Sequence, residues 1–385
     1  MVSLVVARAL HGAPEVTDLC ICRDRQLHGD RPTWNIVRSG MRVLAWRGYA
    51  GVSRSTSRRH RFRRQGLRPA PSGRSNWAKG IPMRACGVSG PGGDVGLLDL
   101  PDPPSPGPGQ VLVAVEAAGV GPWDGLLNGA GWDVGLHPPA ALGVEGAGRV
   151  LAVGADVDEF AVGDQVLAHE APLPGGSGFW AERVLLTAAD AAPCPSGLTP
   201  AEAAALPVNG LTAWQALAAL ELRRGQRLLI TNGAGNTGSL AIQLAAAMGI
   251  EVTATASASA TDRLRGLGAA QVVDYHDQDW PDQVRGQFDG ALTAATGTAA
   301  AAMPLVRDGG RLCSLTFDAP APERAITTTD LTVQPDATQL AELAKQLSEG
   351  TLHLTPEPLP LREGPTALTR AEAGRTGGRK IVLIP

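Results

Sequence analysis

Gly233, Gly235 and Gly238 stand in G-x-G-x-x-G spacing inside the stretch "RLLITNGAGNTGSLAIQLAAAMG". An apolar run precedes them and a small-residue helix pattern follows. The first glycine permits a tight turn. The second lets backbone approach a pyrophosphate, and the third lets helix and strand pack closely. The helix start then offers free N–H groups and the positive end of its dipole to phosphates. Asn236 and Thr237 lie where their amides and side chains can join such a cradle. In a chain with 48 glycines the spacing alone decides little. Its place between a strand and a helix, at the head of further βα units, carries the reading of a dinucleotide-binding turn.

The next apolar run, "EVTATAS", ends at Ala256 and Ser257 without a carboxylate. An acid at this point commonly binds the ribose hydroxyls of NAD. Here nothing in the run repels a 2′-phosphate. Ser257, Ser259 and Thr261 can hydrogen-bond one, and Arg263 can neutralise it. These residues predict NADPH. Glu251 stands at the opposite end of the run and is expected in solvent.

These residues must be held by a particular order of elements. From about residue 209, apolar strand runs alternate with helices: "RLLITN", "EVTATA", "QVVDY", "DGALTAA" and "GRLCSLT" are strands. "TDRLRGLG", "DWPDQVRGQ" and "AAAAMPLVRDG" are expected helices between them. That alternation predicts an α/β, doubly wound parallel sheet. Thr296 and Gly297 follow the fourth strand, so their backbone is expected at the carboxyl ends of the strands, where ligands bind. Residues 83 to about 207 read instead as all-β with irregular loops, as in "QVLVAVEAAGV" and "GRVLAVGADVDEFAVGDQVLAHE".

Composition divides the chain again. The first 82 residues hold fifteen Arg and one Lys against four acids, a balance of +12, so the rest carries −15 of the net −3. The basic stretch "SRSTSRRHRFRRQGLRPAPSGRS" has no periodicity. Three readings stay open: translation natively starting at Met83, a disordered basic tail, and a transit peptide or nucleic-acid arm. Nucleic-acid binding rests on this tail alone. No run of eighteen apolar residues is present to span a membrane. Five scattered cysteines with no C-x-x-C pair argue against a disulfide framework and fit a reducing cytoplasm.

The order of these parts resembles the medium-chain dehydrogenase/reductase superfamily, in its zinc-independent quinone oxidoreductase branch. The resemblance rests on "AAGVGPWD" (117–124), "ALGVEGAGRVLAVGADVDEFAVGDQVLA" (141–168), "GFWAERVLL" (178–186), "AAALPVNGLTAWQAL" (203–217), "LGAAQVVDY" (267–275) and "GGRKIVLIP" (377–385). It covers about residues 83–385. It implies a GroES-like domain over 83–207, completed by 336–385, and a Rossmann domain over 208–335. The nicotinamide would lie in the cleft between them. Relatives that bind zinc carry ligands where this chain has Gly121, Val144 and Val208, none of which can coordinate a metal. His169 and Glu170 are adjacent, point to opposite sides of a strand and are expected at the surface. No metal is therefore expected, and the hydride acceptor must already be electrophilic: a quinone or an α,β-unsaturated carbonyl, including an enoyl substrate.

The resemblance also carries residue roles. Thr212 would reach the nicotinamide region, and Tyr275 would lie near the adenosine, with core or turn packing as its alternative. Asn209 either hydrogen-bonds substrate or caps the helix "TAWQALAAL". Asp124 either orders the substrate loop or forms a structural turn. Gly121 departs from the family's Asn in "N-P-x-D", while Trp123 beside it either walls the pocket or packs in the core. A small-molecule substrate is implied, and a homodimer by analogy only. The rival reading is a non-catalytic NADPH-binding redox sensor or structural protein, which the loss at residue 121 favours.

Overall fold

The computed structural model describes residues 19–23, 34–38 and 82–385, except 131–135, 137–138, 173–175, 278 and 285–286. Leu19–Arg23 and Trp34–Arg38 pair antiparallel. The readings of how the 1–82 extension arises fall outside the described residues.

Six parallel strands form the sheet of the second half. In spatial order they are Gln271–Asp274, Glu251–Ala256, Arg227–Ile230, Phe288–Thr293, Val306–Ser314 and Thr327–Asp330. Chain order therefore reverses between Arg227–Ile230 and Phe288–Thr293, which opens a crevice at their carboxyl ends. Leu228, Leu229, Ile230, Ala291 and Leu292 are wholly buried, as expected of parallel strands covered on both faces.

The other half is β-rich. Gln110–Gly119 is its central strand, pairing with Glu145–Val153, with Arg183–Thr187 and with the C-terminal strand Lys380–Ile384. The last of these also runs parallel to Pro356–Pro360. A smaller sheet joins Met83–Val88 to Gly96–Leu100 and Ala140–Ala141. The chain thus returns to its first domain at its end.

Three sequence expectations need correction. The expected all-β stretch contains the helices Pro122–Ala130 and Pro200–Ala205. The second begins with a capping box, Thr199 and Glu202 satisfying each other's backbone N–H. The expected helix over "AAAAMPLVRDG" stops early: Ala299–Ala302 passes through a short 3₁₀ turn and Val306 already starts the next strand. Val306 is drawn into the sheet opposite Phe288. The helix expected over "DWPDQVRGQ" covers only Trp280–Gln283.

The two halves share one core. Ala117, Ala147, Leu167 and Val382 of the β-rich part cluster with Leu211, Leu228, Ile230 and Leu240 of the second. Helix Ala337–Ser348 buries Leu340, Leu343 and Ala344 in the same cluster. Residues just after 336 consequently pack against helix Pro207–Leu220 before the chain crosses back.

Candidate functional site

The glycine turn sits at the topological reversal. Thr231, wholly buried, ties the two strand ends together: its N–H donates to the Leu292 carbonyl at 2.9 Å. Its Oγ1 accepts the Ala294 N–H at 3.0 Å and lies 2.8 Å from Thr298 Oγ1. Asn232 follows at a left-handed φ of 54°, and its Nδ2 donates to the Ala294 carbonyl at 3.1 Å. The Gly233 N–H donates to the Thr255 carbonyl at 2.9 Å, pinning the turn to the second strand. Gly235 caps helix Asn236–Ala247, whose ladder begins with the Ser239 N–H on the Gly235 carbonyl. The amides of Asn236, Thr237 and Gly238 are the donors a helix start leaves outside its own ladder. A Cβ on Gly238 would overlap the Asn232 carbonyl and lie 2.9 Å from Gly233 Cα, whereas one on Gly235 would meet chiefly the Asn232 side chain. The turn is a cradle kept open by missing side chains, and it fits a pyrophosphate.

A continuous chain of contacts runs from this cradle into the β-rich half. Asn209 Nδ2 donates to Thr237 Oγ1 at 2.8 Å, leaving the buried Asn209 Oδ1 without a partner. The neighbouring Val208 N–H donates to Glu145 Oε2 at 2.8 Å. Glu145 Oε1 pairs with Lys380 Nζ at 2.6 Å, with both side chains almost wholly buried. Lys380 Nζ also lies 4.6 Å from the Trp123 ring centroid. Asn236 Nδ2 reaches the Arg379 carbonyl at 3.4 Å, so the C-terminal strand is held to the turn from a second direction.

Helix Pro122–Ala130 explains "GPWD". Pro122 occupies the first helical position, where a missing N–H costs nothing. Asp124 reaches back, and its Oδ2 accepts the Gly121 N–H at 2.8 Å, half of a capping box. Asp124 is fully buried and its Oδ1 has no partner. Burial, opposed by the Gly121 hydrogen bond and by Lys380, pushes its carboxyl up to about 8.

The remaining expected residues are distributed along this path. Asn209 does not cap its helix, which starts at Pro207 after Leu206; its amide serves Thr237 instead. Thr212 lies inside that helix, half-buried, donating to the Val208 carbonyl at 2.6 Å. Ser257 and Ser259 follow the second strand with hydroxyls 3.1 Å apart. Tyr275 is 53% exposed and stacks on His276, so it does not pack in the core. Thr296 is exposed, and the Gly297 N–H beside it donates to Asp318. Arg263 places its guanidinium on the Ala234 carbonyl of the glycine turn at 2.9 Å.

Glu170 is not a surface residue, and His169 is half-buried. Glu170 is buried and accepts both the N–H and the hydroxyl of Thr187. His169 Nδ1 faces the Val144 carbonyl at 3.0 Å, and burial lowers its pKa. The two do diverge, as neighbours on a strand must. Among the described residues, no three His, Cys, Asp or Glu side chains gather where they could hold a metal.

Sequence reasoning passed over Glu145, Lys380, Thr231 and Asp274. The first two carried a signal, since Glu145 is a charge set between apolar residues in "GVEGAG" and Lys380 is the lone charge of the strand "KIVLI". Asp274 ends the third strand and takes the Ala258 N–H at 3.2 Å, adding a carboxylate to the seryl turn. His276, through its N–H and then its ring, holds that carboxyl below the usual range.

Two family models match: the alcohol dehydrogenase GroES-like domain over residues 107–196, and the zinc-binding dehydrogenase domain over 267–383. The synaptic vesicle membrane protein VAT-1 homolog of Rattus norvegicus is 38% identical over 210 residues, 53% of this chain and 50% of that protein. The chain thus spans about half the length of this curated relative. The structure of the quinone oxidoreductase from Coxiella burnetii superposes with a TM-score of 0.72 at 29% identity, covering 79% of this chain and 99% of that one. A mycobacterial protein solved with NADPH gives 0.67 at 25% identity, covering 79% and 100%. By its paired domains, its parallel sheet and these neighbours, the chain belongs to the medium-chain dehydrogenase/reductase family, as a quinone oxidoreductase-like member.

Proposed function

We propose that the protein is an NADPH-dependent reductase that transfers hydride to a quinone or an α,β-unsaturated carbonyl without zinc. The observation that carries this reading is the contact path from Thr237 to Trp123. It sets the phosphate cradle against a wall made of an ion pair and an indole. The places where related enzymes would hold a metal are Gly121, Val144 and Val208, which offer no donor side chain. With no Lewis acid to polarise an unactivated carbonyl, the acceptor must carry its own electrophilicity. The bound nicotinamide supplies the hydride. The chain's own residues bind and orient. Asn236, Thr237 and Gly238 present amides to the pyrophosphate, and Asn209 Oδ1 offers a buried acceptor beside Thr237. Ser257 and Ser259 offer hydroxyls where a 2′-phosphate would lie, and Arg263 holds its guanidinium on the Ala234 carbonyl of the glycine turn.

Fluorescence titration with NADPH and NADH, followed by turnover with a panel of 1,4-quinones and enones, tests this reading. NADPH should bind more tightly, and its oxidation by quinones should survive a zinc chelator. Tighter NADH binding would remove the phosphate assignment. Tight cofactor binding with no oxidation by any acceptor would remove the reductase reading and leave the non-catalytic one.

A further inference from the structure

Gly121 and Trp123 are fitted to each other. A Cβ on Gly121 would lie 2.6 Å from Cδ2 of the Trp123 indole and closer still to Cε2 and Cζ2. No side chain can stand at 121 while the ring keeps its place. Lys380 Nζ is 4.6 Å from the ring centroid, and the indole Nε1 is buried without a partner. Trp123 as a whole nonetheless stays half-buried. With its one polar atom covered, any indole surface that Trp123 exposes is aromatic carbon. That surface is one ion pair removed from the phosphate cradle, through Lys380, Glu145 and Val208 to Asn209 and Thr237.

We propose that Trp123 is the specificity-determining wall of the acceptor site, filling the volume a side chain at 121 would claim and selecting flat conjugated acceptors by stacking. This rests on the hydride-transfer reading above. A polar side chain at 121 would offer an acceptor a directional hydrogen bond. An aromatic carbon wall offers stacking and dispersion instead. Quinones fused to an aromatic ring gain from that exchange, and small aliphatic enones do not.

The test uses the full chain loaded with oxidised cofactor, so binding is read without turnover. A 1,4-naphthoquinone and 2-cyclohexenone are titrated by equilibrium dialysis against wild type, Trp123→Phe and Trp123→Leu. Trp123→Leu should weaken naphthoquinone binding about tenfold and Trp123→Phe no more than about threefold. Cyclohexenone and cofactor affinities should stay within about twofold. Gly121→Asn alone should lower Tm, and Trp123→Ala in the same chain should restore it. Equal losses for both acceptors, an unchanged naphthoquinone affinity in Trp123→Leu, or no naphthoquinone binding by wild type would each overturn the proposal. If wild type never oxidises NADPH yet shows the expected binding pattern, the reductase reading fails and the wall stands. Normal turnover with a Trp123→Leu variant that binds like wild type does the reverse.

Discussion

Asp124 is a carboxyl whose folded state favours its proton. Its pKa is pushed to about 8, chiefly by burial, while an unfolded Asp titrates near 4. Between about pH 4 and 8 the folded chain keeps a proton that the unfolded chain has released. Stability therefore falls as pH rises through that window, and the loss is complete above it. Asp124→Asn keeps an oxygen for the Gly121 N–H and cannot ionise. Its Tm should stay flatter than wild type from about pH 5 to 8, by calorimetry at matched ionic strength. Lys380 and Glu145 pose a different case, since both side chains are buried and each satisfies the other. Lys380→Met strands the carboxylate and should cost about 3–5 kcal/mol in urea unfolding, most of it recovered by adding Glu145→Gln. At the seryl turn, the Asp274 charge would oppose the proposed 2′-phosphate. Asp274→Asn should shift the Kd ratio toward NADPH by a few-fold, an effect that shrinks with salt.

At the scale of elements, the glycine turn separates two kinds of glycine. Gly238 faces backbone it cannot displace, so Gly238→Ala should lose both stability and cofactor binding. Gly235 meets mainly the movable Asn232 side chain, so Gly235→Ala should fold with a near-normal Tm. Its cofactor Kd should still rise about tenfold or more, because the added methyl enters the space a pyrophosphate approaches. The strand–turn–helix unit was legible in the sequence because apolar runs, glycine spacing and helix pattern agree. Helix Pro122–Ala130 was not, although Pro122 and Asp124 are both start signals. Gly125 and Gly129 hid its helical character, and what holds it is burial of Leu127 and Asp124. The end of "AAAAMPLVRDG" was misread because the alanine run at its start favours a helix, while Pro304 and the pairing of Val306 opposite Phe288 end it.

The whole molecule depends on its last strand. Lys380–Ile384 pairs with Pro356–Pro360 and with Gly119 and Ala118, and supplies the buried lysine of the contact path. Deleting residues 379–385 should leave a chain that does not unfold cooperatively, whereas a conservative Ile384→Val should pass nearly unnoticed. Two-part architecture could be read from the switch of hydrophobic period along the chain. The path from Thr237 to Trp123 could not, because it joins Lys380 to Glu145, 235 positions away, and to Trp123, further still, and only the fold brings them together. Gly121 shows the same limit: alone it reads as a lost amide, and only the neighbouring indole shows why no side chain stands there.

The central claim is hydride transfer to an activated acceptor beside this cradle. Its most direct test is NADPH carrying deuterium at the hydride-bearing carbon, incubated with a 1,4-quinone and with an enone, with each product analysed by mass spectrometry. The predicted result is one deuterium at the carbon β to the carbonyl in the reduced enone, and loss of cofactor matched to quinol formed. Cofactor that binds tightly but leaves both acceptors unreduced and unlabelled would contradict it.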